Sequence, residues 1–464
     1  MFDARVFSSL WATAVLFHFI KAGDKWSSTP LTSLLIILCA AALLCRPASL
    51  RLLVGLSLLQ VANAAWKLLA LEQIQVSWFF TLLISTVLLR AVYKGRAAWA
   101  EHAGPSLRAA LLVLYFYAVL HKLNAGYFSA DNRWPHQIME SAPIIGPLYQ
   151  GLGLEAHGAV LSVGVEAMIF LALLLPALRP AGAVLSFLLH STLGYAGFTQ
   201  FYLIFPLLLP FLPPAATRLP TAADLPAPAR TALLVLALVL APVLAGLNTD
   251  LPGFTLLRKG LWLVAVLPVI VILLRSLRTP GMVPRRPRLA ELVLPGGLAV
   301  WCFFPYFGLV MHPCGAMYSH LSVHSGQSNH FVIPASLQLD VLHGELVEIT
   351  ASNWRRYPLH ARVSERGLRH SLVTERQRGW TVDLRYRRGE ELITITDSVL
   401  EDESVWDHLP VITYNFPTSS NDFIVVAQPP DAPPEPDRRA EEAVHPAPTA
   451  AESPPASSRS PETP

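Results

Sequence analysis

The sequence predicts an all-α helical bundle that crosses the membrane many times, followed by a small extracytoplasmic β-rich domain and a disordered C-terminal tail. Three observations carry that expectation. Of 464 residues, 53% are hydrophobic and only 14% charged, with mean hydropathy +0.44. A soluble domain carries about 25% charged residues. Apolar segments long enough to cross roughly 30 Å of hydrocarbon recur from the N-terminus to residue 311. Beyond that point the texture changes twice, so the expected divisions are 1–311, 312–428 and 429–464.

The first element is MFDARVFSSLWATAVLFHFIKAG, which lacks a small-residue cleavage site and reads as a retained membrane helix rather than a signal peptide. Further spans follow near 30–46, 50–70, 76–93, 106–127, 157–178, 181–213, 230–248, 256–275 and 291–311, after the first near 5–22. The 181–213 stretch is too long for one simple crossing, and its polar middle HSTLGYAGFTQ suggests two shorter helices or a broken pair. The count is therefore about ten or eleven. Basic residues gather in three loops, at Arg46 and Arg51, at Arg90, Lys94 and Arg96, and from Arg275 to Arg288. With 181–213 counted as two spans, all three fall on one side with the N-terminus, and that side is cytoplasmic. The loop after Lys122 and everything beyond residue 311 then lie outside.

After residue 311, LQLDVLHGELVEITAS, GWTVDLRYRRGEELITITDS and PVITYNF alternate apolar and polar residues with β-branched enrichment, the pattern of half-buried strands. Arg355, Arg356, Arg362, Arg366, Arg385, Arg387 and Arg388 crowd this region as a solvated strand face or a surface for an acidic partner. The stretch after Gln428, PPDAPPEPDRRAEEAVHPAPTAAESPPASSRSPETP, cannot bury a core. A net charge of +3 speaks against nucleic acid as a partner. Cys39, Cys45, Cys302 and Cys314 show no CxxC spacing, which argues against a disulfide framework or a zinc ribbon.

Several polar groups stand in apolar surroundings. YFYAVLHKLNAGYF (115–128) carries His121, Lys122 and Asn124 side by side. Lys122 is either an interface anchor near a helix end or a working group. Held among apolar groups, a lysine loses its charged form first, and a neutral amine can act as a general base. The following loop, SADNRWPHQIMESAPIIGPLYQ, mixes apolar and polar residues as a re-entrant lid would. Glu166 falls inside HGAVLSVGVEAMIFLALLL, as a helix–helix hydrogen bond or a functional group. His190 and Gln200 bracket GYAGF, and a lone His190 is more often a packing residue than a ligand. In HPCGAMYSHLSVHSGQSNH (312–330), His320 and His324 have a zinc-like spacing, but no carboxylate accompanies them and no metal is expected.

The lysine helix, LYFYAVLHKLNAGYF, resembles that of vitamin K-dependent gamma-glutamyl carboxylase and its bacterial relatives, the horizontally transferred transmembrane (HTTM) domain family. The shared pattern is an aromatic-rich helix ending in Lys122, Leu123 and Asn124, followed by Tyr127. The HG of EAHGAVLS, the Glu166 helix, LLHSTLGYAGFTQFYLIFP with His190, and MYSHLSVHSGQSNH follow in the family's order. The resemblance implies an integral multi-pass enzyme of a bacterial inner membrane. Lys122 would deprotonate a reduced vitamin K or menaquinol-type naphthoquinone, with oxygen and carbon dioxide as co-substrates. His121, Asn124, Tyr127, Glu166, His190, Tyr195, Met317 and Tyr318 would shape the base's surroundings and the cofactor cavity. The implied partners are the bilayer, which delivers the quinol, and a peptide or protein glutamate. The family's Asn-His pair ahead of the lysine helix has no counterpart in LEQIQVSWFFTLL (71–83), so the resemblance speaks for quinol oxygenation more than for coupled carboxylation. A membrane protein that binds lipid or a partner without catalysis is the alternative, and a transporter is a third.

Overall fold

In an apolar medium a chain rich in Leu, Ala and Val satisfies each backbone N–H and C=O within its own helix, since no water is there to do so. The computed structural model describes residues 2–20, 30–69, 76–129, 132, 134–140, 145–232, 235, 252–279, 287–307, 319, 321, 323–324, 327–328, 330–337, 346–352, 362–365, 368, 372 and 383–396. The expected tail, Met317, Tyr318 and most of the 230–248 segment lie outside the described residues.

The described helices are α1 (Ala4–Ile20), α2 (Pro30–Cys45), α3 (Leu50–Leu69), α4 (Val76–Lys94), α5 (Trp99–Lys122), α6 (Trp134–Glu140), α7 (Ile145–Gly151), α8 (Gly158–Leu174), α9 (Arg179–Tyr195), α10 (Ile204–Leu208), α11 (Pro252–Arg278) and α12 (Leu289–Phe303). Among the described residues, four helices are long and apolar enough to cross a membrane: Trp99–Lys122, Glu155–Leu174, Thr255–Arg278 and Leu289–Phe307. That is fewer than the ten or eleven expected. The reason is partly length: α2 has 16 residues, about 24 Å of helix against roughly 30 Å of hydrocarbon.

α5 is central, touching α4, α8, α10 and α12. It has two buried faces because its apolar residues follow two helical rows. Trp99, Ala103, Leu107, Leu111 and Tyr115 recur every fourth position and enter the main core, while Ala110 and Tyr117 join a second core with Leu298, Cys302 and Tyr306. Lys122 lies seven residues, about two turns, beyond Tyr115 and so continues the first face. The helix ends there: Leu123 leaves the helical region with φ −78° and ψ 63°.

The 181–213 stretch does break in its polar middle. α9 stops at Tyr195, Gly197 takes φ +116°, and the chain resumes as a 3-10 turn at Thr199–Leu203 before α10. A left-handed backbone of this kind favours glycine. Contacts fix the helix directions. Tyr127 and Lys122 meet Ser162 and Glu166 respectively, so α5 and α8 are antiparallel. Gly194, Tyr195 and Gly197 meet Trp262, Lys259 and Arg258 in reverse order, so α9 and α11 are antiparallel too. The break therefore lies at the Lys122 end of the bundle.

The β-rich portion is an antiparallel sheet ordered β4 (Arg362–Ser364), β3 (Leu346–Ser352), β5 (Asp383–Arg388), β6 (Glu391–Thr396), with a separate pair β1 (Val323–His324) and β2 (Gln327–Ser328). Gly389, at φ +57°, occupies the first position of the two-residue β5–β6 loop. Alternation puts Leu384 and Tyr386 inside and Arg385 and Arg387 in solvent. Arg388 pairs with Glu365 and Glu391 at 3.3 and 2.7 Å. Exposure of Arg385 and Arg387 is common to a solvated face and to a surface for an acidic partner.

Candidate functional site

Where three helices present small or apolar rows to one another, the few polar side chains in those rows must find each other. The first face of α5 carries Tyr115 and Lys122, α8 carries Ser162 and Glu166 four residues apart, and α9 carries Ser186 and His190 four residues apart. These six form one polar seam. Lys122 Nζ donates to Glu166 Oε1 at 2.6 Å and also contacts Oε2, and the two side chains are only 11% and 13% exposed. The Tyr127 hydroxyl donates to Ser162 Oγ at 2.9 Å, and its ring centroid lies 5.7 Å from Lys122 Nζ. Tyr115 Oη lies 2.6 Å from Ser186 Oγ and 3.2 Å from His190 Nδ1. His190 Nδ1 is also 2.9 Å from the Ser186 carbonyl. A carbonyl only accepts, so Nδ1 carries the proton.

One expectation is corrected here. Lys122 is not a lone amine among apolar groups but one half of a buried ion pair, because Glu166 projects from the facing helix at the same level.

The other expected residues are placed differently. His121 Nδ1 is 2.9 Å from the Tyr306 hydroxyl, and its ring packs between Tyr117 and Tyr306, on the second face of α5. Asn124 organises the helix end: Nδ2 donates to the carbonyls of His121 and Ser319, both at 2.7 Å, and Oδ1 accepts from the Tyr127 N–H at 2.9 Å. Tyr195, the last residue of α9, has its ring under Lys259 Nζ at 4.6 Å. Met317 and Tyr318 fall outside the described residues. Among the described residues no group of three His, Cys, Asp or Glu gathers as a metal would require. A cleft lined by Arg5, Ser8, Ser49 and Trp99 lies at the opposite end of α5 and has no part in the seam.

The loop expected as a lid folds into α6 and α7, with α6 packed on α7, α8 and α9. His136 Nδ1 and the Tyr149 hydroxyl meet at 2.8 Å directly over Gly158, where a Cβ would come within 2.5 Å of Tyr149 Oη and 2.8 Å of His136 Nδ1. Gly158→Ala is therefore expected to displace this layer at about 1–3 kcal/mol, read as a lower thermal midpoint.

His330, the last histidine of the 312–330 stretch, latches the end of α5. Its Nε2 donates to the Leu120 carbonyl at 2.8 Å, and its Nδ1 accepts from the Val332 and Ile333 N–H groups at 3.1 and 2.9 Å. The Phe331 N–H adds a bond to the Leu123 carbonyl at 2.9 Å. The exposed C-terminal carbonyls of α5 are thereby satisfied by a segment some 200 residues away; a histidine in HSGQSNH was visible in sequence, its partner was not. Burial holds the His330 imidazole below the ordinary histidine range, with the Leu120 hydrogen bond opposing. The folded state thus binds its proton later than the unfolded chain. The latch is at full strength above the ordinary histidine value and weakens as pH falls below it. Amide exchange at Val332 and Ile333, corrected for intrinsic rates, is expected to lose protection severalfold between pH 7 and pH 5, and His330→Gln to abolish that dependence.

The seam sets a carboxylate and an amine, both little exposed, beside the Tyr127 phenol and between apolar helices. Comparison with known proteins finds no match to this chain, whether among family models, curated proteins or solved structures.

Proposed function

We propose that the chain is a membrane enzyme that takes a proton from a reduced naphthoquinone at the Lys122–Glu166 pair. The carrying observation is that pair itself: two ionisable groups hydrogen-bonded between α5 and α8, at the end of the bundle where α5 stops. Intramembrane ionisable groups are functional by default. When bound, the quinol would supply the reductant for oxygen. The chain's own work is proton handling. A hydroxyl entering beside the pair meets a Glu166 oxygen able to take its proton, while the Lys122 ammonium keeps a positive charge at the place the proton leaves. Tyr127, anchored on Ser162, closes one side of the amine, and the apolar helices exclude water that would compete for the proton.

On this reading the Lys122 end of α5 faces the extracytoplasmic side of a bacterial inner membrane. Its support is the charge pattern: Arg46 and Arg51, Lys94 and Arg96, and Arg278 and Arg288 all lie at the opposite end of the helices they flank. Glutamate carboxylation by the same site is a further step of the proposal.

A second reading is favoured by the same geometry, because a satisfied ion pair also clasps two helices without any chemistry. Membranes holding the chain, supplied with reduced vitamin K under oxygen, separate the two. The enzyme reading expects epoxide from the wild type and a loss of about 100-fold or more in Glu166→Gln. No epoxide from the wild type, where a vitamin K-dependent carboxylase works, would leave the clasp.

A further inference from the structure

Arg258 and Lys259 stand within the first two turns of α11, at the Lys122 end of the bundle but apart from the polar seam. Neither pairs with a carboxylate among the described residues. Arg258 Nε is buried without a hydrogen-bond partner, and its guanidinium nitrogens lie about 3.1–3.3 Å from where a Cβ on Gly197 would sit. Only a residue without a side chain lets the planar group settle against the break in α9. Lys259 is held over the Tyr195 ring at 4.6 Å.

Two cations with no carboxylate partner among the described residues, at the rim of an apolar bundle, call for an anion, since a half-buried charge without a partner is costly. The neighbouring residues of α11 indicate which kind. Leu256, Leu263, Val264 and Leu267 are 74%, 54%, 65% and 55% exposed, an apolar strip on the face of α11 that Lys259 flanks one turn before Leu263, while Arg258 turns to the α9 side. A headgroup phosphate at the cations with acyl chains along that strip matches both halves. We propose that Arg258 and Lys259, framed by Gly197 and Tyr195, form a phosphate-binding site for a membrane phospholipid. The arginine fork takes two phosphate oxygens and the lysine a third contact as a point charge. The inference rests on the membrane-spanning character of α11, not on quinol chemistry.

The full chain is reconstituted in nanodiscs of phosphatidylglycerol and phosphatidylcholine and released into detergent, and retained lipid is counted by native mass spectrometry. Wild type is expected to keep phosphatidylglycerol, and Arg258→Gln/Lys259→Gln to keep about tenfold less, equivalent to about 1.4 kcal/mol. Lys94→Gln, exposed at the end of α4, serves as the control and should match wild type. Equal retention in wild type and the double variant would overturn the site. No lipid on wild type, with inorganic phosphate alone raising its thermal midpoint, would overturn the lipid assignment in favour of a free anion. Should the double variant fail to fold, Lys259→Gln is read the same way, a severalfold loss supporting the site and none overturning it.

Discussion

Glu166→Ala is expected to destabilise the protein by about 3–5 kcal/mol, because it leaves the Lys122 ammonium buried with no counter-charge. The pair joins α5 to α8 with both side chains little exposed, so the orphaned amine has few routes to water. Lys122→Met should cost a similar amount for the mirror reason. Replacing both, as Lys122→Met/Glu166→Leu, removes the desolvation of two charges together with their attraction. Such replacements are often neutral, so the double variant is expected to recover most of the loss. Denaturant unfolding in detergent across the four proteins gives the coupling directly, expected at several kcal/mol. Additive single losses would mean that the pair is not formed.

Gly194→Ala is the other large effect. A Cβ at Gly194 would overlap the six-membered ring of Trp262, which is 1% exposed. That ring cannot yield, since Phe17, Tyr202 and Phe205 hold it at centroid distances of 5.4, 5.6 and 5.9 Å. Overpacking a close-packed site costs about 1–3 kcal/mol and occasionally more, and the crowding here points to the upper end or beyond. The expected readout is loss of the folded protein or a strongly lowered thermal midpoint. Trp262→Leu in the Gly194→Ala background should recover part of the loss, since the smaller side chain vacates the ring's place. A Gly194→Ala protein as stable as wild type would mean that α9 and α11 do not approach this closely.

How much of this was legible in the sequence depends on the range of each interaction. The apolar runs, the break after Tyr195 and the strand alternation around Leu384 and Tyr386 are set by neighbouring residues, and the sequence displays them. The prominence of Lys122 and Glu166 was also visible, because ionisable groups in apolar runs are conspicuous. Their pairing was not, since nothing local says that α8 presents Glu166 to the end of α5. The same limit explains His121, which looks like a companion of Lys122 in sequence yet turns to Tyr306 on the other helix face. Asn124 also holds backbone groups at the helix end, a role its place beside Lys122 in sequence does not reveal. His330 reaches Leu120 across a gap no periodicity reveals.

The central claim is that the Lys122–Glu166 pair is a proton acceptor for a quinol and not only a clasp between helices. Lys122→Met/Glu166→Leu tests it most directly, because this variant is expected to keep the fold while removing both proton-exchanging groups. Wild type and double variant are placed in the same membranes with reduced vitamin K and oxygen, and epoxide is measured. Epoxide is expected from wild type, and none above background from the double variant. Equal epoxide from both, or none from wild type where a vitamin K-dependent carboxylase is active, would contradict the claim.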